Sequence, residues 1–188
     1  MSLLGRESET TMQSDGPMGY AKPSAAADTA AADGTTETWV IFQLDEQTYA
    51  LHIWEVERIV RAVEVKPVPE SPPHIRGVVN IQGRVLPVVD LRKRFGQPTR
   101  DIALDDHFII ASTSTASVVL PVDAALGSLE VSGGFVPHDD DERTRCLRKI
   151  VPVDGELIYA LDLERVVFRD GSFSDRDFAS VLAELEMT

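Results

Sequence analysis

Four histidines, His52, His74, His107 and His138, are the first places to look for metal chemistry in this chain. Their separations do not match the short ligand spacings of a zinc site, and none has a cysteine nearby in a ligand pattern. The single thiol, Cys146, sits beside Arg145 and Arg148, whose charge could favour a thiolate nucleophile. No general base accompanies it in the sequence, so it reads as a structural cysteine. Asp90 and Asp162 could form a general acid/base pair. Each, however, follows an apolar run and opens a short helix-like segment, which makes it a helix cap. The like-charge run Pro137 to Glu142, "PHDDDE", reads as a solvated loop. There is no G-x-S-x-G, no P-loop and no G-x-G-x-x-G. The expectation is a protein with no catalytic site, no cofactor and no metal.

Composition narrows the partners. The chain has 188 residues and a formal net charge of −13. Nucleic-acid binders need a basic face to displace counterions from phosphate, and anionic lipid also attracts cations. Proteins are therefore the expected partners, with no nucleic acid and no membrane insertion. One cysteine excludes an intramolecular disulfide framework and fits a reducing cytoplasm. The N-terminus lacks the apolar run of a secretory signal, and no stretch of roughly eighteen apolar residues could span a bilayer. A cytoplasmic location is expected.

The elements that would position any site are mostly strands. Residues 1–36 are rich in Ala, Ser, Thr, Gly and Asp and are expected to form a disordered tail. "WVIFQL" (Trp39 to Leu44) and "YALHI" (Tyr49 to Ile53) read as a hairpin across a polar turn. "WEVERIV" (Trp54 to Val60) suits a short turn and then a strand. Prolines 67, 69, 72 and 73 make a stiff, extended link. Gly77 to Ile81 and Val85 to Val89 form a second hairpin through Gln82, Gly83 and Arg84. Pro87 has no N–H, which predicts an edge strand or a bulge there. Asp90 caps the helix "LRKRF", and Gly96 supplies the left-handed residue that ends it. At the C-terminus, residues 171–188 carry Phe178, Val181, Leu182 and Leu185 at helical spacing and predict a helix packed on the domain.

A repeat organises these elements. "RGVVNIQGRVLPVVDLRKRF" (Arg76 to Phe95) aligns without gaps on "RKIVPVDGELIYALDLERVV" (Arg148 to Val167). Arg76/Arg148, Val79/Val151, Gly83/Gly155, Asp90/Asp162 and Leu91/Leu163 are identical. A weaker match sets "YALHIWEV" against "SVVLPVDA", extending the units to about 49–96 and 117–168. Two copies of a small β-unit are best satisfied as two five-stranded barrels side by side. The fold class is thus mainly β, with short capping helices, over residues 37–170.

"YALHIWEVERI", the proline-rich link and "IRGVVNIQGRVLPVVDLRKRFG" together resemble the CheW family of bacterial chemotaxis coupling proteins, over about Trp39 to Phe168. The resemblance is specific in the first half and looser in the second, where "AALGSLEVSGGF" fits poorly. It implies two SH3-like barrels sharing a core and no enzyme activity. It also implies an adaptor bridging the regulatory domain of the histidine kinase CheA to the cytoplasmic tips of chemoreceptors. Such a protein is cytoplasmic, recruited to receptor arrays at the membrane, and monomeric outside them. The resemblance places the partner-binding residues at Val56, Arg58 and Ile59, and at Gly77, Val79, Asn80 and Gln82. Two positions depart from the family pattern. Arg58 stands where Glu is usual, and Gln82 where Arg is usual. Because Gln is neutral, the two do not read as a swapped salt bridge. Altered kinase or receptor preference and neutral drift are both compatible with these changes, as is service to another output such as type IV pili. An unrecognised enzyme and an SH3-like or OB-like nucleic-acid binder are the rival classes, the latter disfavoured by the charge.

Overall fold

The computed structural model describes residues 36–69, 71–132 and 145–168. The expected tail (but for Thr36), the acidic run Pro137 to Glu142 and the C-terminal helix at 171–188 lie outside the described residues. Ten strands and two short helices follow in order: β1 (Thr36–Leu44), β2 (Gln47–His52), a 3₁₀ turn (Ile53–Glu55), β3 (Val56–Arg61), β4 (Ile75–Ile81), β5 (Arg84–Val89) and α1 (Leu91–Arg94). Then come β6 (His107–Ser112), β7 (Ser117–Val122), β8 (Ala124–Ser132), β9 (Leu147–Val153), β10 (Glu156–Leu161) and α2 (Leu163–Phe168).

The strands form two five-stranded sheets, ordered β8-β1-β2-β10-β9 and β3-β6-β7-β5-β4. Each is an SH3-like barrel, here called A and B. Barrel B uses one continuous stretch, β3 to β7. Barrel A combines β1 and β2 with β8 to β10. The repeat therefore does not divide the molecule into its barrels, because each unit gives strands to both. The exchange itself is symmetric. A parallel pair joins β2 to β10 in one barrel, with Ala160 opposite Ala50, and β5 to β7 in the other, with Val88 opposite Val119.

Alternation along the strands explains the continuous apolar runs. In β1, Trp39 and Ile41 point into barrel A with Ala50, Val151, Ile158 and Ala160. Phe42 and Leu44 point the other way, into a core shared with Ile109, Leu120, Val89 and the first residues of both helices. Barrel B is filled by Val79, Leu86, Val88, Phe108, Ile110 and Val119. A strand buried on both faces needs no polar residues, and burying each large side chain contributes roughly 1.5–3 kcal/mol.

The hairpins β4–β5 and β9–β10 have equivalent turns. Gln82 and Gly83 have φ of 55° and 85°, and Asp154 and Gly155 have 51° and 87°. Two successive positive φ values match the right-handed twist of the strands, the reason glycine is used at the second position. The helices after them start alike: Asp90 Oδ1 accepts the Lys93 N–H at 3.2 Å, and Asp162 Oδ1 accepts the Arg165 N–H at 3.1 Å. At the end of α1, Gly96 (φ 67°) donates to the Lys93 carbonyl and Gln97 to that of Arg92. This is a Schellman closure. Buried Arg94 ties the helices together, donating to the Val167 carbonyl at 2.7 Å.

Pro87 corrects one expectation. Its strand is internal, between β7 and β4, and the irregularity in the pairing lies opposite, between Ile75 and Gly77 of β4. Val78, the partner of Pro87, exchanges both backbone hydrogen bonds with Lys66 on its other side. Pro87 thus sits at a non-bonded pair and takes no donor from β4. Its ring nitrogen faces β7, where pairing is limited to Val88 with Val119.

Candidate partner-binding surface

One end of barrel B gathers the start of β3, the tip of the β4–β5 hairpin, the end of β6 and the start of β7. Among the described residues, the sheet order leaves β3 at an edge, paired only with β6. Its burial alternates weakly, and Glu57, Arg58, Ile59 and Arg61 are all exposed. The pairing slips between Val56 and Arg58, so Glu57 is the extra residue of a bulge. A bulge bends a strand and re-aims its side chains. Here it sends neighbouring residues to different tasks.

Glu57 turns across the barrel end. Its carboxylate accepts from Arg84 Nη1 at 2.8 Å, from Ser117 Oγ at 2.6 Å and from Ser112 Oγ. Arg84 Nη2 also donates to Ser117 Oγ at 2.9 Å. The Arg84 hydrogen bond, then those of Ser112 and Ser117, stabilise the charged form and lower the Glu57 pKa from 4.5 to about 2. This network fixes the geometry of the end where four strands meet.

Arg58 points out from the edge, and its Nη1 donates to Gln82 Oε1 at 2.5 Å. The two positions that do not read as a swapped salt bridge are nevertheless in contact, as a cation and a neutral amide. Asn80 steadies the same turn, its Oδ1 accepting the Gly83 N–H at 2.9 Å.

The remaining sequence-proposed contact residues divide. Ile59 is 37% exposed and available. Val56 is partly buried against the shared core. Val79 is 1% exposed and packs inside barrel B, so it supports the surface from within and cannot meet a partner. Pleat alternation places it opposite in sense to Asn80. Gly77 is buried with φ 145°, and a Cβ there would lie 2.1 Å from the Lys66 carbonyl oxygen. Its task is the close passage of the proline-rich link, which closes barrel B through the Lys66–Val78 bridge.

Sequence reasoning left out Trp54. It caps the passage from β2 to β3 and is 86% exposed, with Ile53 beside it at 37%. A large aromatic in a short turn between strands was the available signal. The turn is held by a capping box, in which the Trp54 N–H donates to His52 Nδ1 and the His52 N–H to Glu55 Oε2. Glu55 also pairs with Arg148 at 2.9 Å. His52 is half-buried and packs edge-on against Trp39, with ring centroids 5.1 Å apart. Below β3, an open groove of about 560 Å³ runs along residues 62–65 and 101–104, past Leu104, which is 91% exposed.

A second charged cluster lies between the barrels. Arg92 of α1, 5% exposed, donates from Nη2 to Asp45 Oδ1 at 2.9 Å and to Asp123 at 2.8 Å. Arg100 bridges Asp123 and Asp106. Burial pushes the Asp123 carboxyl up, but Arg92, the Asp45 N–H and Arg100 together hold it below its ordinary value. Since Asp45 lies between β1 and β2 and Asp123 between β7 and β8, this network joins the barrels. Among the described residues no cluster of His, Cys, Asp or Glu could hold a metal ion, and no helix is long and apolar enough to cross a membrane. Cys146 is buried in the shared core.

Known proteins supply the context. The family description "CheW-like domain" matches residues 38–170. The chain is 31% identical over 143 residues to the chemotaxis protein CheW of Thermotoga maritima, covering 72% of this chain and 91% of that one. It is 29% identical over 147 residues to the chemotaxis protein CheW of Bacillus subtilis, covering 74% and 92%. Among solved structures, the scaffolding protein TtCheW from Thermoanaerobacter tengcongensis superposes with a TM-score of 0.65 at 27% identity, over 75% of this chain and 94% of that one. The ten-strand double barrel, the match along nearly all of it and these relatives agree: the chain belongs to the CheW family of chemotaxis scaffold proteins.

Proposed function

We propose that this protein is a non-enzymatic adaptor that couples chemoreceptor cytoplasmic tips to the regulatory domain of the histidine kinase CheA. The observation that carries this reading is the β3 edge, unpaired among the described residues, where exposed Trp54 and Ile59 lie along the chain from Arg58 and its hairpin-tip partner Gln82. An edge strand with exposed apolar side chains can accept a helix or a homologous barrel. Aromatic anchors supply most of the energy of such contacts. Modest pairwise affinity suffices, because clustered receptors raise the effective concentration. Biasing a kinase between two states then takes a coupling energy of only ~1–3 kcal/mol.

The test is calorimetric titration of the full chain with the CheA regulatory domain and, separately, with receptor cytoplasmic fragments from the same organism. Micromolar binding to both, and a ternary complex on mixing all three, is the expected result. Binding to neither overturns the adaptor role and leaves the fold alone standing.

A further inference from the structure

We infer that Arg58, oriented by Gln82, is a specificity residue that reads a carboxylate on the receptor tip docking against the β3 edge. This rests on the receptor-coupling reading above and names the chemistry of its partner. Six other arginines, Arg76, Arg84, Arg92, Arg100, Arg148 and Arg165, each have a carboxylate within salt-bridge distance. On β3, Arg61 donates to the Asp105 carbonyl at 2.9 Å and Arg58 to the neutral side-chain oxygen of Gln82 at 2.5 Å. The Arg58 charge is therefore held in place without being cancelled.

Gln82 is well suited to that role. Its backbone sits at φ 55° in the hairpin turn beside β3, and its Oε1 is the acceptor that holds Arg58 Nη1. One guanidinium N–H is used, which leaves four donors for a carboxylate in a planar, two-point arrangement. Ordering the side chain before binding removes part of the entropic cost of the contact. The setting adds discrimination: the chain as a whole carries −13, so an acidic partner meets general repulsion and gains only where a cation is fixed at the contact. A receptor tip with Lys or Arg at that place meets like charge beside the apolar contacts of Ile59 and Trp54. Gln82 is a positioning residue here, and Arg58 makes the contact.

The experiment titrates the full chain with cytoplasmic signalling fragments of the same organism's chemoreceptors at low and moderate salt. Arg58→Ala is expected to weaken binding about tenfold and Arg58→Glu further, with a shallower salt dependence and unchanged unfolding midpoints. Gln82→Glu is decisive, since it grips Arg58 more firmly while neutralising it. Weakened binding by Gln82→Glu supports charge reading, whereas a merely structural role predicts equal or tighter binding. Receptor fragments with tip carboxylates changed to Gln should no longer distinguish wild type from Arg58→Ala. Wild-type binding that changes less than twofold in Arg58→Glu overturns the inference while leaving the adaptor role intact. Wild type that binds no receptor fragment overturns both.

Discussion

At the passage from β7 to β8, Asp123 lies between Arg92 and Arg100; at the passage from β2 to β3, the corresponding residue is Trp54, 86% exposed. The correspondence follows from register, which shifts the weak sequence match of "YALHIWEV" on "SVVLPVDA" by one residue. Val88 and Ala160 are equivalent in the repeat, their parallel partners are Val119 and Ala50, and four residues further on come Asp123 and Trp54. The helices differ in the same sense. Arg92 of α1 reaches the β1–β2 turn through Asp45, while its repeat counterpart Glu164 of α2 accepts the Ser114 N–H of the β6–β7 turn at 2.5 Å. Backbone path and caps are thus common to both passages, and the side chains decide which is sealed and which is presented. One fold supplies a charged seam between the barrels on one side and an exposed aromatic turn on the other.

The strongest way to break this contrast is to unseal the closed passage. Arg92→Met removes the buried cation from a cluster whose carboxylates are partly solvated and leaves Asp45 without its partner, so it should cost about 2–3 kcal/mol in urea unfolding. An equal loss from Trp54→Ala would show that both passages are structural. Trp54→Ala is instead expected to keep stability within ~0.5 kcal/mol and to lose about 2 kcal/mol, or roughly thirtyfold, in partner binding by calorimetry.

Acid sharpens the comparison just past the open passage. Glu57 has a folded pKa of about 2 against an ordinary 4.5. Its contribution is fully present above about pH 4.5 and is lost as pH falls through 2. Because the carboxylate is partly solvated, that contribution is discounted to about 1 kcal/mol. Glu57→Gln should therefore flatten the acid limb of stability against pH by that amount. Asp123, also lowered, loses its contribution in the same direction. The smallest effect is expected from Arg148→Gln, which breaks a surface pair with Glu55 and should change stability by ~0.5 kcal/mol or less.

Local features were the legible ones. The Gln82–Gly83 turn, the Asp90 and Asp162 positions before each helix and the apolar runs of β1, β4 and β5 carry their geometry in short sequence signals. The strand exchange does not, because pairing of β2 with β10 is a long-range choice made by packing. The buried task of Arg92 was hidden inside "LRKRF", which reads only as a short capped helix until Asp45 and Asp123 are brought to it. Val79 was misplaced for a related reason. A resemblance marks a neighbourhood, and only the pleat decides which of two adjacent residues faces out. The Arg58–Gln82 contact likewise needed the bulge at Glu57, an irregularity that no alternation pattern reports.

The composition of barrel A has a consequence for how the chain is made. Barrel B is finished once residue 122 has left the ribosome, whereas β1 and β2 emerge first and must wait for β8 to β10. At synthesis rates of about 5–20 residues per second, the wait is on the order of ten seconds. During it, the apolar faces of Trp39, Ile41 and Ala50 have no lid. Nascent barrel B can nucleate the protein, and the earliest-made hairpin is then the last to be enclosed, which makes that hairpin the natural client of a chaperone.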